Sequence, residues 1–181
     1  MDLFKDLLQA DLARYGGKRQ AGRYLSTFHR LLRKSHTTTN PILLAWYRLL
    51  LKKHSAKHHL EIGYKCKIGK GLYLGHSYCI TVNPRSVIGE WCTLNKGVTI
   101  GQENRGPRKG TPTIGNQVWI GANSTVVGKI NIGDDVLIAA NTLVNKDIPS
   151  HSIVIGNPCI IKPSPNATEG YIDIPSSNKK G

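Results

Sequence analysis

Aromatic residues are scarce in this sequence, 7% of the total with only two Phe, which argues against the ring-lined surface on which unpaired nucleobases stack. Acidic side chains are nearly missing ahead of Leu60, where three Asp and no Glu face twelve Lys and Arg. The four cysteines, Cys66, Cys79, Cys92 and Cys159, have no Cys-x-x-Cys spacing and no companion His cluster. No metal site is therefore expected, and the thiols read as buried. No apolar run reaches the length needed to cross a bilayer. Asp2, Asp6 and Asp11 stand where a secretory leader would need a basic start and an apolar stretch. The expected location is thus the reducing cytoplasm, or the inner face of its membrane. A length of 181 residues excludes two large domains but suffices for one core.

What the sequence does have is positive charge and glycine. The net charge is +14, and its concentration before Leu60 suits an anionic membrane surface, an acidic cofactor, or simply a solvated basic face; nucleic acid is not the expected partner. Leu3, Leu7 and Leu8 recur at helical spacing until the Gly16-Gly17 pair, which predicts two short helices between Asp2 and about Leu32. Asn40-Pro41 then reads as a cap followed by a first-turn proline, starting a helix through Leu51, with Lys52 and Lys53 suited to its C-terminal end. That helix is apolar on nearly every face, so it requires cover, from protein or from a membrane interface.

Past Leu60 the pattern acquires a period of six. Ile62, Ile68, Leu74 and Ile80 are six apart, Ile88, Leu94 and Ile100 resume after a two-residue insertion, and Ile114, Ile120, Val126, Ile132, Ile138 and Val144 resume after a long loop. Neither the helical spacing of three to four nor the strand spacing of two explains such a run. A solenoid of short strands and tight corners does, with three hexapeptides to a coil and the aliphatics stacked inward. Val98, Val118, Ser124, Ile130, Val136 and Thr142 are expected to fill the rest of the core, with Gly, Asn95, Asn123 and Asn141 at corners. The expected organisation is a basic helical segment over 1–59, a β-helix over 60–162 with a protruding loop near 102–112, and a polar tail over 163–181 for which disorder is the default.

The stretch from Glu61 to Lys162 resembles the serine acetyltransferase branch of the hexapeptide-repeat acyltransferases. The resemblance rests on Glu61-Ile62, on Ile68-Gly69-Lys70-Gly71 leading to His76, on Gly97-Val98-Thr99-Ile100-Gly101 before a long loop, on Ile120-Gly121-Ala122, and on Ile155-Gly156-Asn157-Pro158. It implies a mainly β chain, a left-handed parallel β-helix with a short N-terminal α-helical segment, that uses acetyl-CoA as cosubstrate. It implies that His76 is the general base and that Glu61, where the family usually has Asp, assists it. The chemistry needs such a pair, because a neutral hydroxyl attacks a thioester poorly unless a base near pKa 7 takes its proton.

The resemblance further implies coenzyme A in a groove between subunits of a homotrimer, or a dimer of trimers. Gly101, Gly121, Ala122, Ala139 and Ala140 are candidates for the pantetheine path, and Lys162, Arg105, Arg108 and Lys109 for the phosphates. Corner packing and solvated loop charge account for the same residues.

Two departures bear on the acceptor. The branch has an acid just before the catalytic His, where this sequence has Gly75, and an Arg-His-Pro triplet after the loop, where it has Gly110-Thr111-Pro112. Those groups contact the amino acid, so the expected acceptor is a sugar hydroxyl of a surface or capsular polysaccharide precursor, with serine as the alternative. Two rivals stand outside that class. A zinc-dependent hydratase on the same fold would need three converging histidines, which are missing. A non-catalytic scaffold with a basic membrane- or nucleic-acid-binding arm rests on charge and on the Pro41 to Leu51 helix alone.

Overall fold

The computed structural model describes residues 2–175. Three helices lead. In α1 (Leu3–Ala13) the Asp2 carboxylate accepts from the Phe4 N–H, satisfying a free donor of the first turn. In α2 (Lys18–Thr37) Gly22, at φ 73°, interrupts the helical backbone. In α3 (Pro41–Lys57) Asn40 accepts from the N–H groups of Ile42 and Leu43. The Asn40 cap falls where the sequence put it, while α2 and α3 run between one and two turns beyond the expected ends.

Fifteen short strands, β1 to β15 in chain order, form the three faces of a parallel solenoid. Face one stacks β1 (Leu60–Ile62), β4 (Ile80–Val82), β7 (Thr99–Gly101), β10 (Thr125–Val127) and β13 (Leu143–Val144). Face two stacks β2 (Lys67–Ile68), β5 (Val87–Ile88), β8 (Thr113–Ile114) and β11 (Asn131–Ile132). Face three stacks β3 (Tyr73–Gly75), β6 (Thr93–Asn95), β9 (Val118–Ile120), β12 (Val136–Ile138) and β14 (Ser152–Ile155), on which β15 (Ile160–Pro163) folds back antiparallel. The inward aliphatics form columns such as Leu74, Leu94, Ile120, Ile138 and Val154, all buried.

One rung differs from the sequence reading. Val82, not Ile80, pairs with Ile62 and with Ile100, and Ile80 pairs with Leu60. The two-residue insertion therefore precedes Ile80, at the corner from His76 to Cys79. Ile80 and Val82 are both buried, so a hydrophobic pattern could not tell which carried the register.

The helices close the N-terminal end of the solenoid. Arg33 donates to the carbonyls of Ile68 (2.7 Å) and Gly69 (2.6 Å), Asp11 accepts from the Leu72 N–H (3.0 Å), and the Tyr15 hydroxyl accepts from the Leu74 N–H (2.8 Å). Backbone groups along the first coil, which has no coil below it, thus find side-chain partners. Behind them Asp11 holds Arg33 (2.7 Å) and His29 (3.1 Å), all three fully buried. Burial pushes the Asp11 carboxyl up, but Arg33 and His29 outweigh it and hold it below its ordinary value.

The apolar ridge of α3 is left uncovered by the described residues: Ile42 is 80% and Trp46 54% exposed, with Leu43 and Leu49 beside them. Two expectations are corrected. Cys79 is exposed, whereas Cys66, Cys92 and Cys159 are buried. The start of the tail is ordered, since Asp135 accepts from the N–H groups of Ala167 and Thr168 and from the Thr168 hydroxyl, and Tyr171 packs edge-on against Trp119. The last part of the expected disordered tail, 176–181, lies outside the described residues.

Candidate active site

His76 sits at the corner between face three and face one, and the insertion decides its setting. In the later coils this corner is short: the N–H groups of Asn123 and Asn141 bond the carbonyls of Lys96 and Ala122 one coil earlier, both at 2.9 Å. The Gly97 N–H bonds the Tyr78 carbonyl in the same way. The left-handed residues Cys79, Gly97, Asn123 and Asn141 therefore form one column, and Tyr78, Lys96, Ala122 and Ala140 the next. His76 and Ser77 are the two residues left over. They form a bulge in which the His76 carbonyl accepts from the Tyr78 N–H at 2.7 Å. His76 itself lies at φ 48°, exposed, with neither ring nitrogen hydrogen-bonded within the described chain.

Gly121, Ala122, Ala139 and Ala140 lie on this same edge, two and three coils beyond His76, by continuation of the β6–β9–β12 register. At ~4.8 Å per coil the edge rises about 10 to 14 Å over that distance. Gly121 is required by the packing, since a Cβ there would lie 2.4 Å from the Ala140 backbone nitrogen. Lys96, which the sequence reading passed over, stands between His76 and Ala122 on the edge.

Glu61 is in β1, exposed, and accepts from the Thr81 hydroxyl at 3.4 Å. No hydrogen bond joins it to His76. Gly101 ends β7 at the far side of face one, at the corner with face two, so the structure separates it from the other small residues. Arg105, Arg108 and Lys109 are exposed on the loop, which closes as a small antiparallel turn between Glu103 and Gly110. Within it Arg108 pairs with Glu103 at 3.1 Å. Lys162 is exposed on β15, opposite Ile153, on face three. The four cations do not converge.

Asn95 was expected at a corner. It lies instead at the end of β6, its amide donating to the Ile120 carbonyl at 2.8 Å. It stands directly beside Gly75, where an added Cβ would be 2.3 Å from the Asn95 Oδ1. The space an acid before His76 would need is already filled.

A cleft of about 820 Å³, which no sequence signal announced, opens between α3 and face one. Arg48, Lys52, Ser55, Glu61, Tyr64 and Asn83 are among its polar lining, and Leu49, Val82 and Pro84 among the apolar.

Residues 111–146 match the family model for the bacterial transferase hexapeptide (six repeats). The chain is 39% identical over 98 residues to the serine acetyltransferase of Helicobacter pylori strain 26695, covering 54% of the chain and 57% of the relative. It is 33% identical over 99 residues to the Synechococcus elongatus serine acetyltransferase, covering 55% and 41% respectively. The chain thus spans about half the length of the curated relatives it matches. Among solved structures, soybean serine acetyltransferase superposes with a TM-score of 0.77 over 88% of this chain and 69% of that one, at 23% identity. The Brucella abortus serine acetyltransferase gives 0.71 over 90% and 70%, at 25% identity. The shared hexapeptide-repeat fold extends beyond the solenoid into the helices, and it is the mainly β, left-handed parallel β-helix class expected from the sequence.

Proposed function

We propose that the protein is an acetyl-CoA-dependent O-acetyltransferase with His76 as general base. The observation that carries the reading is the bulge, which lifts one imidazole out of the coil at the head of an edge lined by Gly121, Ala122, Ala139 and Ala140. In the reaction the acceptor oxygen attacks the thioester carbonyl as the His76 ring takes the hydroxyl proton. The tetrahedral intermediate then expels the thiolate, which recovers that proton. Glu61 is assigned to orient or charge-stabilise the ring, an assignment that requires it to turn from Thr81. The small residues give the pantetheine arm close access to the backbone. Gly101 and the cations Lys162, Arg105, Arg108 and Lys109 are assigned to the cofactor as well, with the groove completed by a neighbouring subunit of a trimer.

Serine is the first acceptor to test, because the relatives and neighbours reported above are serine acetyltransferases. The contact between Gly75 and Asn95 favours a second reading, a sugar hydroxyl of a polysaccharide precursor. The proposal has the enzyme in the cytoplasm, with the exposed ridge of α3 resting on the membrane surface. The test is release of free thiol from acetyl-CoA in the presence of serine, hexoses or nucleotide sugars. Turnover is expected with at least one of them, reduced about 100- to 10,000-fold in His76→Ala; full turnover in that variant would end the assignment.

A further inference from the structure

We infer that the cleft between α3 and face one is a subsite for a phosphorylated acceptor, a sugar phosphate or nucleoside-diphosphate sugar whose free hydroxyl reaches Glu61. The inference rests on the acetyl-transfer reading for the hydroxyl, though not for the binding.

Charge is the first observation. Arg48 and Lys52, one turn apart on α3, both line the cleft. Neither is neutralised: the ion pairs among the described residues join Asp11 to His29 and Arg33, Glu103 to Arg108, and Asp135 to His151. Neither α2 nor α3 contains an acid. The one carboxylate in the cleft, Glu61, belongs to the opposite wall and is held toward Thr81.

Unused hydrogen-bonding capacity is the second. The Arg48 Nε and the Ser55 Oγ are both buried without a partner among the described residues, on side chains that line the cleft, and Ser55 is 7% exposed. A buried donor left unpaired is costly, so a ligand oxygen that reaches either group is favoured. The Arg48 guanidinium carbon lies 4.1 Å from the centre of the Tyr64 ring, a second lining residue of the cleft, which restrains the fork.

Size is the third. A cleft of about 820 Å³ falls in the roughly 300 to 1,000 Å³ range that accepts molecules of some twenty or more heavy atoms, far more than an amino acid occupies. The walls alternate apolar surface at Leu49, Val82 and Pro84 with the polar groups of Tyr64 and Asn83, as suits a sugar or base carried behind a phosphate.

Binding can be read without catalysis by titration calorimetry of the full chain and of His76→Ala. The probes are glucose, glucose 1-phosphate, UDP-glucose, inorganic phosphate and serine. The expected result is that both phosphorylated sugars bind at least tenfold tighter than glucose, serine or phosphate alone. Arg48→Gln and Lys52→Gln should each weaken that binding tenfold or more, while Lys53→Gln, the same charge change on the exposed side of α3, leaves it within twofold. Equal binding of glucose and glucose 1-phosphate, tighter binding of serine, or insensitivity to both substitutions would overturn the subsite. A change of oligomer mass in Arg48→Gln or Lys52→Gln would overturn it too, because the cleft would then belong to a subunit contact. If the phosphorylated sugars bind as stated but no probe is acetylated, the subsite stands and the acetyl-transfer reading falls.

Discussion

Gly75 and Asn95 stand side by side on adjacent strands, so close that a methyl group on Gly75 would lie 2.3 Å from the Asn95 amide oxygen. The asparagine is not free to retreat, because its Nδ2 donates to the Ile120 carbonyl. Gly75→Ala should therefore destabilise by about 1 to 3 kcal/mol through overpacking. Asn95→Gly added to Gly75→Ala should restore more stability than it changes on its own, a coupling a double-mutant cycle reads from thermal unfolding. Gly75→Asp with Asn95→Gly rebuilds the acid before His76, and the ratio of kcat/KM for serine over a hexose should rise. A ratio that does not move would remove this pair from acceptor choice.

The bulge makes its own prediction. Three later coils turn the same corner without His76 and Ser77, so the fold does not need them. Deleting both residues should leave unfolding free energy within about 2 kcal/mol while abolishing acetyl transfer. The Tyr24 hydroxyl, 3.5 Å from the Ser77 carbonyl, loses only a long contact. A deleted chain that fails to fold, judged by circular dichroism, would show the bulge to be structural.

Acid should act first on the join between helices and solenoid. Asp11 has a lowered pKa in the fold, so the stability it provides is complete above its unfolded value, about 4, and fades as pH drops through the lower folded value. His36 adds a second slope. Burial, then Arg33, pull its pKa down to about 4, so the unfolded chain binds a proton that the folded chain refuses, and stability declines as pH falls from about 6.5 to about 4. Urea unfolding across pH 3 to 8 should follow this course. Asp11→Asn, which leaves Arg33 buried without its counter-charge, should cost about 3 to 5 kcal/mol at pH 7 and flatten the steepest acidic part.

The bare ridge of α3 predicts membrane binding. Ile42, Trp46 and Leu49 repeat at three and four residues, with Lys53 continuing the line. Sedimentation with vesicles containing anionic lipid should carry the protein down, with neutral vesicles far less effective and added salt releasing it. Trp46→Ser should weaken the association several-fold. Equal partition onto neutral and anionic vesicles would contradict an electrostatic contribution.

Much of this was legible beforehand because the solenoid writes its geometry into a period. Every inward rung up to Val144 except one could be read from an aliphatic six residues after the last, and Asn40 marked a helix start by its own side-chain chemistry. The exception, Val82 against Ile80, was hidden because two buried residues two apart satisfy the same pattern. The cleft was hidden for another reason: Arg48 and Glu61 are thirteen residues apart and belong to different elements, and only packing of α3 on face one brings them together. Asn95 looked like a corner residue because asparagine tolerates left-handed backbone, yet Gly97 fills that role at φ 71°. The joining of Asp11, Tyr15 and Arg33 to the first coil left no spacing in the sequence at all.

That joining also limits how the molecule can associate. A stack of parallel strands ordinarily offers its terminal rung as a template, onto which another rung can add without limit. Here the donors and acceptors of Ile68, Gly69, Gly71, Leu72 and Leu74 are already taken by Arg33, Arg14, Asp11 and Tyr15, and at the other extremity β15 runs against the grain of β14. Longitudinal growth into filaments is thereby blocked at the helical end and disfavoured at the opposite one. What is left for a neighbour is the flank of the prism, where the His76 edge runs.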